Sequence, residues 1–320
     1  MRLEYFLICF AIIGILSVGY LTNTQQYAHA ELPISNTVKD FKLEGGSGVV
    51  AVNPNTDRVY ITNTRSDTVS VIDGSNNNIV SVFKVGSKPY GIAINPETNI
   101  LYVERENSDI LTVVDGSTYK IIENIKINGP YDIAINSKTN MIYVTSNVAN
   151  SVFVIDGNTN TVQTSINIQV PCGIAVNTKT NTIYVTSEAT DKVHVIDGIT
   201  NTQIDIIKVS YSPRGVAVNE ETNTVYVTNQ NSGTLSVIDG TINEVIDTIK
   251  VIQPYEMAVD SRNNKVYITY FGTGMLSIIG ESLEEKSTTQ LFYVFLGIAI
   301  AILVGGILFN KRVRTRIKDQ

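Results

Sequence analysis

Residues 171–198 read PCGIAVNTKTNTIYVTSEATDKVHVIDG, short apolar runs set between turn-forming residues. The run 173–176 meets an Asn/Thr turn, 182–186 is β-branched and aromatic, and a polar loop leads to a last apolar run ending in Asp197-Gly198. Runs of this length bounded by Asn, Thr, Asp and Gly read as strands joined by hairpins. The stretch recurs, with substitutions, six times along the chain.

The copies can be aligned strand by strand. First strands read VVAVN (49–53), GIAIN (91–95), DIAIN (132–136), GIAVN (173–177), GVAVN (215–219) and EMAVD (256–260). Second strands carry Tyr60, Tyr102, Tyr143, Tyr184, Tyr226 and Tyr267, 41 or 42 residues apart. Third strands end in VIDG or VVDG, degenerating to IIGE at 278–281, and fourth strands contain FKV (83–85), IKI (125–127), INI (166–168) and IKV (207–209, 249–251). Four strands in a unit of about 40 residues predict an all-β fold, a β-propeller with six four-stranded blades. First strands apolar on both faces suit blades sandwiched by their neighbours, and the Ala shared by all six suits the crowded axis. Asn in the N-x-x-T-N turns, and Asp-Gly after the third strand, are expected where a left-handed backbone is needed. Lysines on the fourth strands guard an exposed edge. The sixth copy lacks a fourth strand, and VKDFKL (38–43) matches that pattern ahead of the first copy, so an N-terminal strand is expected to close the ring.

Tyr-Ile-Thr-Asn (60–63), Tyr-Val-Thr-Ser (143–146, 184–187) and Tyr-Val-Thr-Asn (226–229), each followed by a V-I-D-G strand, resemble the YVTN-repeat β-propeller family. The likeness covers roughly residues 34–280 and departs at Tyr-Val-Glu-Arg (102–105) and Tyr-Ile-Thr-Tyr (267–270). It implies a surface-layer or other cell-surface protein of archaeal type; such propellers often have seven blades, against six counted here. The motif describes scaffold and implies no reaction.

The ends set a topology. Arg2, an apolar run over 5–21 and Ala28-His29-Ala30 form the pattern of a signal peptide over 1–30, cleaved before Glu31; an uncleaved anchor would leave the topology unchanged. The propeller is then expected over 31–280, a linker over 281–290, and a transmembrane helix over the uncharged 291–309. The basic tail 310–320 marks the cytoplasmic side, giving a single-pass membrane protein with its propeller extracellular. Gly297, Ala301 and Gly305 would allow at most a weak helix-mediated dimer. Between residues 31 and 290, 18 Lys and Arg face 28 Asp and Glu, which disfavours nucleic acid as a partner. The mature chain keeps one cysteine, Cys172, and one histidine, His194, so most nucleophile–base and metal chemistry is excluded and no cofactor is expected.

Loops before strand one and after strand two share one face, and only there does the repeat vary. Ser47, Tyr90, Tyr131, Cys172, Arg214 and Tyr255 enter the first strands, and the next positions include Asp132 and Glu256 where others have Gly. Ringing the channel mouth, these residues form a candidate binding site for a glycan, a peptide or a small polar ligand. The plainer alternative is that each Tyr packs over its own Pro turn and the charges are solvated. Glu104, Arg105, Glu106 and Asp109 add a polar cluster that lacks the spacing of a Ca²⁺ site. His194 reads as a packed residue rather than a catalyst. The expected function is a surface binding or structural module contacting a cell-envelope protein or a glycan, and not an enzyme. The competing expectation is an extracellular metal-dependent, lactonase-like hydrolase at the same mouth.

Overall fold

A computed structural model describes the chain over residues 47–270 and 276–280. The chain divides into two compact units, 1–42 and 43–320, and every described residue belongs to the second. The signal segment, the closing strand 38–43, the linker, the membrane run 291–309 and the tail all lie outside the described residues. Among the described residues no helix is long and apolar enough to cross a membrane.

The repeats fold into six antiparallel sheets, the six blades counted in the sequence. Five have four strands in chain order; the sixth shows three, Pro254–Asp260, Lys265–Tyr270 and Leu276–Ile279, among the described residues. The opening stretch is blade four, with strands Pro171–Asn177, Thr182–Ser187 and Lys192–Asp197 followed by Thr202–Lys208. From blade one to blade five, each first strand lies beside the first strand of the next blade, so the blades radiate from an axis lined by their first strands.

Alternation along each strand explains why both blade faces are buried. In blade two, Leu101 and Val103 point back to blade one, where they meet Tyr60, Val69, Val71 and Val85. Tyr102, between them in sequence, points forward with Leu111 and Val113 onto Ile142 and Val144 of blade three. The same arrangement recurs at the next three junctions. Tyr60, Tyr102, Tyr143 and Tyr184 are fully buried. Burial of each such side chain contributes about 1.5–3 kcal/mol, which makes these junctions the main apolar core.

A polar ladder runs round the face opposite the mouth. The Asn ending each first strand is fully buried in blades one to five, and its side-chain amide donates to a turn Asn of the next blade. The bonds are Asn53–Asn99 (2.8 Å), Asn95–Asn140 (2.7 Å), Asn136–Asn181 (2.6 Å), Asn177–Asn223 (2.7 Å) and Asn219–Asn264 (2.9 Å). Each acceptor Asn is left-handed, with φ of 50–57°, as expected of the N-x-x-T-N turns. Aspartates occupy the terminal positions of both series, Asp260 as the sixth first-strand residue and Asp57 as the first turn residue.

Two sequence expectations need correction. The left-handed residue after the third strand is not the glycine of Asp-Gly but the residue three further on: Asn77, Tyr119, Asn160, Asn201 and Asn243. The glycine provides space instead, since a Cβ on Gly198 would stand 2.3 Å from Asn181 Oδ1. Ser47 is likewise not the counterpart of Tyr90. It pairs with Asn63 as Pro89 pairs with Arg105 and Pro171 with Ser187, so Gly48 holds the mouth position in blade one.

Candidate functional site at the channel mouth

A backbone irregularity creates the mouth. In blade two, Pro89 pairs with Arg105 and Ile92 with Val103, leaving Tyr90 and Gly91 together opposite Glu104. The same two-against-one bulge sets Cys172-Gly173 against Thr186, Arg214-Gly215 against Thr228 and Tyr255-Glu256 against Thr269. A β-bulge bends its strand and re-aims a side chain, here at the start of every first strand so affected.

The Thr of the YVTN motif locks this bulge. Its hydroxyl accepts from the first strand (Val49, Asp132, Gly173 and Gly215 N–H, 2.8–3.0 Å). It donates to the mouth residue of the next blade, with Thr62 reaching Tyr90 O (2.7 Å), Thr145 Cys172 O (2.8 Å), Thr186 Arg214 O (2.6 Å) and Thr228 Tyr255 O (2.8 Å). Blade two breaks the series, because Glu104 stands where the others have Thr and accepts from Gly91 N–H at 2.9 Å.

Five of the seven candidate residues, Tyr90, Tyr131, Asp132, Tyr255 and Glu256, line one cavity of about 250 Å³ with Val49, Gly91, Ile92, Ile133 and Met257. An adjoining depression of about 530 Å³ shares the three tyrosines and adds Arg214, Glu104 and Glu106. Cys172 lines neither: it is 2% exposed, its Sγ lies 3.5 Å from Glu188 Oε2, and burial pushes its thiol up to about 12. A larger groove of about 690 Å³ along 230–234 and 250–253 has Lys250 as its one ionisable lining residue and draws on a single stretch of rim.

Arg214 crosses the mouth. One guanidinium nitrogen donates to the Tyr131 hydroxyl of blade three and another to Gln230 Oε1 of its own blade at 3.3 Å. The guanidinium also lies 4.7 Å from the centre of the Tyr255 ring of blade six, in cation–π contact. Tyr131 and Tyr255 thus each meet an arginine from another blade.

Three carboxylates face this space. Asp132 accepts from Ile133 N–H (2.8 Å) and, across the junction, from Ile174 N–H (3.0 Å). Burial still pushes it up to about 6, against the pull of those two bonds. Glu256 is open to the channel, but the blades around it displace enough water that desolvation, then the Asp132 charge, push it up to about 7, with Arg214 pulling it down. Glu104 is 5% exposed; desolvation pushes it up to about 7 despite its Gly91 bond, and Asp132 and Glu106 add to the rise. Sequence reasoning noted Glu104 only as part of a loop cluster. The signal that it belongs to the mouth was its place in the motif, Glu for Thr.

The other candidates are scaffold. Asp109 takes Gly129 N–H at 3.1 Å, as Asp67 and Asp191 take Lys88 and Ser212 N–H in their blades. His194 is 9% exposed, its Nδ1 is 2.6 Å from Gln203 Oε1, and burial lowers its pKa. Among the described residues no three of His, Cys, Asp and Glu come together as a metal-ligand set.

No family model matches the chain, and no curated protein matches it. Among solved structures it is similar to Kuenenia stuttgartiensis hydrazine synthase. The match has 14% identity and a TM-score of 0.53, and covers 78% of this chain and 99% of that one. At that identity the likeness concerns the fold, and the fold is a β-propeller.

Proposed function

We propose that the chain is a YVTN-type propeller of the cell surface, anchored by 291–309, that binds a cell-envelope protein or glycan at its channel mouth. One observation carries the reading: Tyr90, Tyr131, Asp132, Tyr255 and Glu256 come from three different blades to one cavity, while the opposite face repeats with little change. Divergence concentrated on one rim of a regular scaffold is where binding chemistry is grafted. The test is capture of envelope proteins and glycans by the full chain and by Tyr90→Ala and Arg214→Ala variants. Binding that falls about tenfold in the variants supports the reading, as expected when an aromatic or Arg anchor is lost. Equal binding by all three chains refutes it.

A second reading is a hydrolase, favoured by two carboxylates across one cavity with pKa raised to about 6 and about 7, the range of a working general base. For the metal-dependent form of that reading, the described residues lining the cavity itself supply two carboxylates, Asp132 and Glu256, and no His, and Glu104 lies in the adjoining depression.

A further inference from the structure

We propose that the channel mouth receives an organic cation, an ammonium group seated between Asp132 and Glu256 and walled by Tyr90, Tyr131 and Tyr255. The inference rests on the reading of the mouth as a binding site and names the chemistry of what enters it.

Four observations lead there. The carboxylates of Asp132 and Glu256 line one cavity, and the Asp132 charge works against the ionisation of Glu256 more than Arg214 favours it. The Glu256 carboxylate is open to the channel and has no hydrogen-bond partner among the described residues. Glu104, 5% exposed, accepts from Gly91 N–H with one oxygen, and the residue also lines the adjoining depression. Arg214, the one cation among the described residues lining the depression, is already engaged by Tyr131, Gln230 and the Tyr255 ring. Arg214 also shows that Tyr255 accepts a cation on its face, the interaction by which aromatic rings recognise alkylammonium groups.

Size and charge narrow the class. At about 250 Å³ the cavity is smaller than the roughly 300–1,000 Å³ of pockets for drug-sized ligands, which suits a head group better than a sugar chain. A compact metal ion needs more oxygen ligands than the two carboxylates supply. A diffuse ammonium needs only counter-charge and ring faces. The group would reach the mouth either on a free small amine or on a lysine side chain of a partner protein.

Ionised carboxylates are required, so affinity has a pH sign. Asp132, Glu256 and Glu104 have raised pKa values, and the charges facing them are one another, Glu106 and Arg214. Binding should therefore be strong above neutrality and fall as acid protonates the carboxylates through about 7 to about 6.

Calorimetry on the full chain in detergent tests this with tetramethylammonium, n-butylammonium and, as neutral isostere, neopentyl alcohol. The expected result is ammonium binding at pH 8, at least about tenfold weaker binding of the alcohol, and at least about a thirtyfold loss at pH 5.5, which lies about 1.5 units below the value of about 7 for Glu256. Glu256→Gln should weaken ammonium binding about tenfold with an unchanged melting curve; Asp132→Asn, which keeps an acceptor for Ile174 N–H but turns an amide NH2 on Ile133 N–H, should weaken it as well, with a lowered melting temperature. Absence of ammonium binding, equal affinity for the alcohol, or full affinity in folded Glu256→Gln overturns the proposal. A lysine peptide and its Nε-acetylated form separate the two sources: preference for the free lysine assigns a protein partner, and binding of small amines alone assigns a metabolite. If Tyr90→Ala and Arg214→Ala abolish envelope capture while no ammonium binds, this inference falls and the binding reading stands; if neither responds to mouth substitutions, both fall.

Discussion

Gly173 shows how tightly a single residue is specified at the mouth. A Cβ there would stand 2.2 Å from Arg214 O, a backbone atom of the next blade, so neither side can withdraw without moving a strand. Gly173→Ala is expected to lower stability by about 1–3 kcal/mol, the range for forced overpacking, measured by urea unfolding. It should also displace the arginine that reaches Tyr131. An unchanged midpoint would mean the two first strands are looser than their hydrogen bonds imply. The same locus shows what sequence can and cannot carry. Asp132 and Glu256 were visible as departures from glycine at one aligned position. Glu104 sits on the neighbouring strand and reaches the same layer by folding over Gly91, a placement that alignment along one strand does not reveal. The Arg214–Tyr131 bond joins residues 83 apart and depends on side-chain direction across an axis, which periodicity does not encode.

At the scale of the element, strands and turns were legible because each blade repeats the same requirement. Tyr184 is buried against the next blade for the reason Tyr60 and Tyr102 are, and six spaced tyrosines announce it. The bulge was not legible. It adds one residue to a strand without changing its composition, and Gly48, which precedes VVAVN (49–53) as Tyr90 precedes GIAIN (91–95), takes the mouth position in blade one. The polar ladder offers a direct test. Asn136 is fully buried, donates to Asn181 at 2.6 Å and accepts from Lys138 N–H at 3.1 Å. Asn136→Ala strands those partners and should cost about 1–3 kcal/mol, the desolvation penalty of unsatisfied buried groups. Chemical denaturation of the variant reads the loss; a shift within error would show that water replaces the ladder freely.

For the whole molecule, the sequence count of fourth strands assigns 38–43 to the sixth blade, and that segment lies outside the described residues. A ring tied by its first and last strands loses cooperativity when one is removed. Deleting residues 31–44 should therefore lower the melting temperature of the whole propeller by several degrees, about 2–4 °C for each kcal/mol lost in a domain of this size. Differential scanning calorimetry gives the answer, and an unaltered transition would rule out closure by that strand. The charge of the chain also acts at this scale: an acidic exterior leaves the mouth in a negative field that draws cations from a distance, an effect that salt weakens.

The amide ladder has an orientation, because every rung is a donor on one blade and an acceptor on the next. At its ends stand Asp260, which has no amide to give, and Asp57, which accepts but bears the same charge. In a six-bladed ring these two positions belong to neighbouring blades, the last and the first, so the junction without an amide rung is the one where the ring comes full circle. Five junctions share one polar device, and the sixth must be held by other means.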